Sequence, residues 1–187
     1  ATESGKSKGQ FYTPAEVSRI MAKVIGVGEA TSGKQTIYDP TCGSGSLLLK
    51  AHDEAKSATG HDLTLYGQEM DNATKALAKM NLILHDCPTG EIWQDNTLSA
   101  PYFKEPKTNA LKTFDFVVAN PPFSYRWDPS DSMSDDARFK NYGLAPKSAA
   151  DFAFLLHGFH FLKEDGVMAI ILPHGVLFRG GAEERIR

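Results

Sequence analysis

The chain has 187 residues, enough for one domain with a sizeable core, and its 41% hydrophobic and 23% charged residues are an ordinary globular composition. No apolar run approaches the roughly 20 residues of a membrane span, and the polar start Ala1-Thr2-Glu3-Ser4-Gly5-Lys6-Ser7-Lys8 does not read as a signal peptide. A formal net charge of -3 argues against a self-sufficient nucleic-acid binder with its own basic face. Cys42 and Cys87 have neither metal-ligand spacing nor a disulfide framework, which fits a reducing cytoplasm. The start without Met and the end at Arg187, inside what reads as a young helix over 180–187, are expected of an excised piece.

Apolar Val17, Ile20, Met21, Val24 and Ile25 recur at helical spacing and predict a helix over 15–25, opened by Thr13 as N-cap with Pro14 in the first turn. A short strand at 36–39 runs into a Gly/Ser turn and a helix over about 44–57. A second strand at 63–68 is followed by a helix over 72–85, capped by Asp71, with Ala73, Ala76, Leu77, Met80 and Leu84 on one face. Further strands are predicted at 91–94, 114–119 and 166–172, the last ended by Pro173. A helix over 149–162 carries Phe152, Leu155, Leu156 and Phe159 as its core stripe. Alternating elements with nearly continuous apolar strands predict an α/β fold: a doubly wound, mostly parallel sheet covered on both faces. The whole of 1–187 reads as one core. The long polar segment 124–148 reads either as a solvated insertion or as a functional, mobile element such as a lid.

The chemistry sits at strand ends, where such sheets bind ligands. The loop Asp39-Pro40-Thr41-Cys42-Gly43-Ser44-Gly45 lacks the Gly-Lys-Ser/Thr of a triphosphate loop. Its glycines permit a tight turn and close approach to a ligand, and the next helix presents free N–H groups. Asp39, Thr41, Cys42, Gly43 and Gly45 are therefore candidates for holding a nucleoside cofactor; a plain strand-to-helix turn is the alternative. Glu69, ending the second strand, is placed to accept hydrogen bonds from both ribose hydroxyls. Asp95, ending the third, is placed to accept one from an adenine amino group, or is simply a turn residue before Asn96. Upstream, Gly9-Gln10-Phe11-Tyr12-Thr13-Pro14 reads either as a cover for the cofactor or as a hydrophobic staple and cap.

Asn120-Pro121-Pro122-Phe123 closes the fourth strand as a rigid corner. The Asn120 side-chain oxygen and the Pro121 carbonyl can each accept an N–H bond from an aromatic amine, freeing its delocalised lone pair for attack, while Phe123 stacks on the base. Methyl transfer to a base amine is the chemistry this arrangement fits. The scattered histidines, including His157 and His160, make no metal motif, and Cys42 has no evident base partner.

With these motifs in order, the chain resembles the amino-methylating DNA methyltransferases, most of all the methylation subunit of type I restriction–modification systems. The resemblance runs from about Gly9 to Arg187 and includes Leu172-Pro173-His174-Gly175-Val176-Leu177-Phe178 before Gly180-Gly181. It implies a Rossmann-like core, S-adenosylmethionine as cofactor, and adenine in double-stranded DNA as target, with the base flipped out of the helix. It places Gln10, Phe11, Tyr12, Thr13, Pro14, Thr41, Cys42, Gly43 and Glu69 on the cofactor, Asp95 on its adenine, and Asn120, Pro121, Pro122 and Phe123 on the target base. It also implies a separate specificity subunit, a restriction subunit, a flanking helical domain, a further C-terminal part and further strands, none within this chain. Two alternatives stand beside it: a methyltransferase acting on protein glutamine or RNA, and a cofactor-binding assembly subunit without turnover.

Overall fold

The computed structural model describes residues 13–187. Five strands form one sheet: β1 (Thr36–Asp39), β2 (Thr64–Glu69), β3 (Glu91–Gln94), β4 (Phe114–Ala119) and β5 (Leu162–Ile170). Their order is β3-β2-β1-β4-β5, and every pairing is parallel. The helices are α1 (Ala15–Val24), α2 (Ser46–Thr59), α3 (Asn72–Leu84), α4 (Asp151–His160) and α5 (Ala182–Ile186). The chain winds outward from β1 through β2 to β3, then returns to place β4 on the other side of β1. This is the expected doubly wound α/β fold, with its topological switch point between β1 and β4.

Alternate strand residues divide the core. Ile37, Leu65, Phe116 and Val118 pack with Ala22 of α1 and Ile25 just after it, Leu48 of α2 and Leu82 of α3. Tyr38, Tyr66 and Val117 turn to the opposite face, among Phe103, Phe114 and Phe161, where Tyr38 stacks on Phe114 at 4.7 Å between ring centroids. Burying a side chain of this kind contributes about 1.5–3 kcal/mol. Phe114 and Phe116 are two residues apart yet join different clusters. A register shift between them in the β4–β5 pairing accounts for this.

That irregularity also explains where β5 begins. The predicted strand starts at 166, but β5 begins at Leu162, which pairs with Phe114; Lys163-Glu164-Asp165 lie within the strand at the register shift, and pairing resumes at Val167. Lys163 is tied down by an ion pair with Asp115 at 2.9 Å, and the same carboxylate oxygen accepts the N–H and hydroxyl of Thr36. The helix predicted to 162 accordingly ends at His160.

Local capping follows the sequence in one case and departs from it in another. Asp71 caps α3, accepting from the Thr74 N–H at 2.7 Å, and the bonds from Thr74 hold its carboxyl below the usual carboxylate range. Thr13 does not cap α1: the helix starts from Pro14 without a side-chain cap. The Thr13 hydroxyl accepts instead from Asn120 Nδ2 at 3.0 Å, a long-range bond that outweighs the local one.

Segment 124–148 is packed into the molecule. Trp127, Met133 and Phe139 are buried with Leu98 and with Phe152, Phe154 and Leu156 of α4. Arg138 is buried as well. It pairs with Asp136 through Nη2 at 2.8 Å and donates to the carbonyls of Thr97 and Leu98 and to His157 Nδ1. An arginine only donates, so His157 accepts at Nδ1, carries its proton on Nε2 and donates to Tyr38 Oη at 2.9 Å. Burial, with Arg138 and His160 nearby, pushes the His157 pKa well down and keeps the ring neutral.

Candidate active site

The carboxyl ends of β1, β2 and β4 open on a cavity of about 940 Å³. Its size and mixed lining suit a nucleoside-sized ligand together with a second planar group. Thr13, Pro14, Asp39, Thr41, Cys42, Gly43, Glu69 and the whole of Asn120-Pro121-Pro122-Phe123 line it. Residues from the two halves of the chain thus meet at the switch point. Gly45 and Asp95 do not line the cavity. Gln10, Phe11 and Tyr12 lie outside the described residues.

The loop after β1 is shaped from within. Asp39 is buried, and its Oδ1 accepts the Thr41 N–H at 2.9 Å. Burial raises the Asp39 pKa to about 7; the Thr41 N–H opposes the shift and the charge of Glu69 adds to it. The Cys42 N–H donates to the Gln68 carbonyl at 3.0 Å, which binds the loop to the end of β2. Gly67 lets this happen: a Cβ there would stand 2.8 Å from Cys42 Sγ. Gly45, with φ of 82°, starts α2 in the left-handed region, and a Cβ on it would press on Leu82. Its contribution is to the turn, while Ser44, Ser46 and Leu47 at the start of α2 face the cavity.

Glu69 spans the gap between this loop and α3. Its Oε2 accepts the Gly43 N–H at 3.0 Å and its Oε1 accepts the Asp71 N–H at 2.8 Å. Two backbone donors therefore fix the carboxylate, and each oxygen keeps a lone pair for a ligand hydroxyl. A Cβ on Gly43 would meet nothing within 4 Å, and among the described residues the buried Thr41 hydroxyl has no hydrogen-bond partner. An acceptor pair, open space above a glycine, an orphaned hydroxyl and the uncapped start of α2 are the donor and acceptor set a ribose with a carboxylate-bearing tail requires.

Asp95 stands just after β3, exposed, and its Oδ1 accepts the Asn96 N–H at 2.7 Å. Its neighbours Asn96 and Thr97 line the cavity instead. Thr97 Oγ1 donates to the Pro40 carbonyl, tying the turn after β3 to the loop after β1. These two residues, with Met70, Tyr125 and Phe154, are among the cavity members the sequence did not single out. The position of Asn96 beside Asp95 at a strand end was the available signal.

At the other wall, Asn120 follows β4. Its amide nitrogen donates to Thr13 Oγ1, and its Oδ1 has no hydrogen bond among the described residues. Pro121 is buried, Pro122 is exposed and Phe123 is 53% exposed, leaving an aromatic face open beside the amide.

A different arrangement, Cys87–His52–Asp62, has the order of a nucleophilic triad: Cys87 Sγ is 3.4 Å from His52 Nδ1, and His52 Nε2 is 2.9 Å from Asp62 Oδ1. Burial and the neighbouring carboxylates of Asp53, Asp62 and Asp86 raise the thiol pKa, so the thiolate is disfavoured and the cluster reads as structural.

The sequence model of the N-6 DNA methylase family matches residues 1–187. The MpnII type I restriction enzyme methylase subunit of Mycoplasma pneumoniae is 38% identical over 194 residues, covering 100% of this chain and 35% of that protein. The MjaVII methylase subunit of Methanocaldococcus jannaschii is 33% identical over 189 residues, covering 96% of this chain and 31% of that protein. The crystal structure of a type I restriction-modification methyltransferase subunit from Streptococcus thermophilus superposes with a TM-score of 0.85 at 46% identity, covering 95% of this chain and 38% of that one. The chain spans about a third of the length of the curated relatives it matches. On this match, and with its strand-end loops and the Asn120-to-Phe123 corner gathered at one switch point, the chain belongs to the N-6 DNA methylase family.

Proposed function

We propose that this chain is the catalytic core of a longer modification subunit that transfers a methyl group from S-adenosylmethionine to the exocyclic 6-amino group of adenine in double-stranded DNA. In the assembled type I enzyme it works with a specificity subunit and a restriction subunit in the cytoplasm. Among the described residues no helix is long and apolar enough to cross a membrane. One observation carries the reading: the Glu69 carboxylate and the Asn120 amide line the same cavity from opposite sides of the β1–β4 switch. The family match favours DNA over protein glutamine or RNA as substrate.

Glu69 accepts the two ribose hydroxyls, the N-terminus of α2 receives the carboxylate of the amino-acid tail, and Asp39, Thr41, Cys42 and Gly43 form the floor between them. By resemblance alone Asp95, which stands outside the cavity wall, is assigned to the cofactor's adenine amine through the carboxylate oxygen that Asn96 leaves free, and Gln10, Phe11, Tyr12, Thr13 and Pro14 are assigned to the cofactor. When bound, S-adenosylmethionine supplies an electrophilic methyl group, which the amine lone pair takes as the carbon–sulfur electrons return to sulfur. Asn120 Oδ1 and the Pro121 carbonyl each accept one amine N–H and stabilise the positive charge that develops on nitrogen. Pro122 stiffens the corner, and Phe123 stacks on the flipped base. The nitrogen becomes acidic once methylated, so its proton passes to solvent without a strong base.

An Asn120→Ala substitution in the complete enzyme tests this. Methyl transfer to adenine is expected to fall roughly 100- to 1000-fold, with cofactor binding retained. Transfer at the unsubstituted rate would remove Asn120 from the chemistry.

A further inference from the structure

The corner at 120–123 must be held at both ends to aim its acceptors. At its start, β4 does this: the Ala119 carbonyl accepts the Ile171 N–H at 3.0 Å. Within the corner, Pro121 and Pro122 have no N–H to offer. The backbone is next gripped at Ser124, whose N–H donates to Asp151 Oδ1 at 2.8 Å. Ser124 has φ of 51°, a left-handed conformation that a non-glycine residue adopts only when its surroundings impose it. One residue further on, the Tyr125 carbonyl accepts the Ala150 N–H at 2.9 Å. The start of α4 therefore clamps the exit of the corner at two consecutive residues.

Asp151 itself is fully buried. Such a carboxylate persists only when paired and hydrogen-bonded. Its Oδ2 accepts Arg179 Nη2 at 3.2 Å, and Arg179 Nε reaches Glu183 Oε2 at 3.2 Å. No step of the proposed methyl transfer uses Asp151, Arg179 or Glu183.

We propose that Asp151 is a positioning residue. By holding the Ser124 N–H it fixes the exit of the Asn120-to-Phe123 corner, and with it the reach of the amine acceptors and the plane of Phe123. Arg179, from the chain beyond β5, balances its charge and locks the carboxylate in place. The inference rests on the reading of the corner as the target-amine site.

The test uses Asp151→Ala, Asp151→Asn and Arg179→Met in the complete enzyme. Two measurements are made: steady-state methyl transfer, and hydrogen exchange of the amides at 123–126. In Asp151→Ala, kcat is expected to fall roughly 100-fold with the KM for S-adenosylmethionine within about threefold of the parent value. Exchange at 123–126 should quicken while α2 and α3 keep their protection. Asp151→Asn keeps an acceptor for Ser124 and should recover most of the rate and the protection. Arg179→Met should give an intermediate loss of kcat at the same KM, and it decides the matter if Asp151→Ala does not fold. Unchanged exchange at 123–126, or parallel losses of rate and cofactor affinity in all three variants, would overturn the proposal. An unsubstituted enzyme that transfers no methyl group to adenine would instead overturn the functional reading, while the exchange data would still decide whether Asp151 holds the corner.

Discussion

Asp39 shows how one residue can shape a site and burden the fold. It is buried at the end of β1 with a pKa raised to about 7. A carboxyl whose folded pKa lies above its unfolded value stays protonated in the fold after it has ionised in the unfolded chain. Its contribution is therefore most favourable below about pH 4 and is lost as pH rises to about 7, on the order of a few kcal/mol. Asp39→Asn should remove that dependence, so the stability gap between variant and parent should widen in the variant's favour between pH 4 and 7. Chemical denaturation at several pH values measures it, and parallel curves would show that Asp39 is already ionised in the fold. The sequence identified Asp39 through its place in a strand-end loop, but not its burial, which depends on Glu69 and Thr41 closing around it. Thr13 is the converse case. Its position before Pro14 reads as a cap, yet the Asn120 amide, 107 residues away, takes its hydroxyl.

At the scale of elements, periodicity served well where local pattern and tertiary packing agree. β1, β3 and β4 fall at the residues their apolar runs indicate, and α3 starts where Asp71 caps it. It failed where a long-range partner decides. Lys163-Glu164-Asp165 fall between the predicted helix and the predicted strand, but the Asp115–Lys163 pair holds Lys163 within β5. Segment 124–148 read as a polar loop because Asp128, Asp131, Asp135 and Asp136 dominate its pattern. Trp127, Met133 and Phe139 nonetheless build a core of their own, and Arg138 is held by Asp136, two carbonyls and His157. A lid that swings freely is not compatible with that anchor. Arg138→Met should leave Asp136 and the Thr97 and Leu98 carbonyls unpaired, costing about 3 kcal/mol and lowering Tm by roughly 10 °C. A melting temperature unchanged within error would mean that the buried network contributes little.

Across the whole molecule, the sheet's winding does the central work. It brings the end of β1, which starts the loop 39–45, beside the end of β4, which starts the corner. Residues 39–45, 69 and 120–123 are far apart in sequence and adjacent in space for that reason. The motifs were legible because each sits at a strand end, and the alternation of elements implied the parallel sheet. Thr97, Tyr125 and Phe154 were not legible, because they reach the cavity through packing that no local spacing encodes. The net charge of -3 agrees with the proposal that other subunits supply the grip on DNA phosphates. Everything in the proposed reaction depends on the cavity being a cofactor site ordered by Glu69. The most direct measurement is therefore isothermal titration of S-adenosylmethionine into the complete modification subunit, unsubstituted and as Glu69→Ala. Saturable one-site binding, weakened at least about 10-fold in the variant, equivalent to about 1.4 kcal/mol, is the predicted result. Equal affinity in the two proteins, or no binding to either, would contradict it.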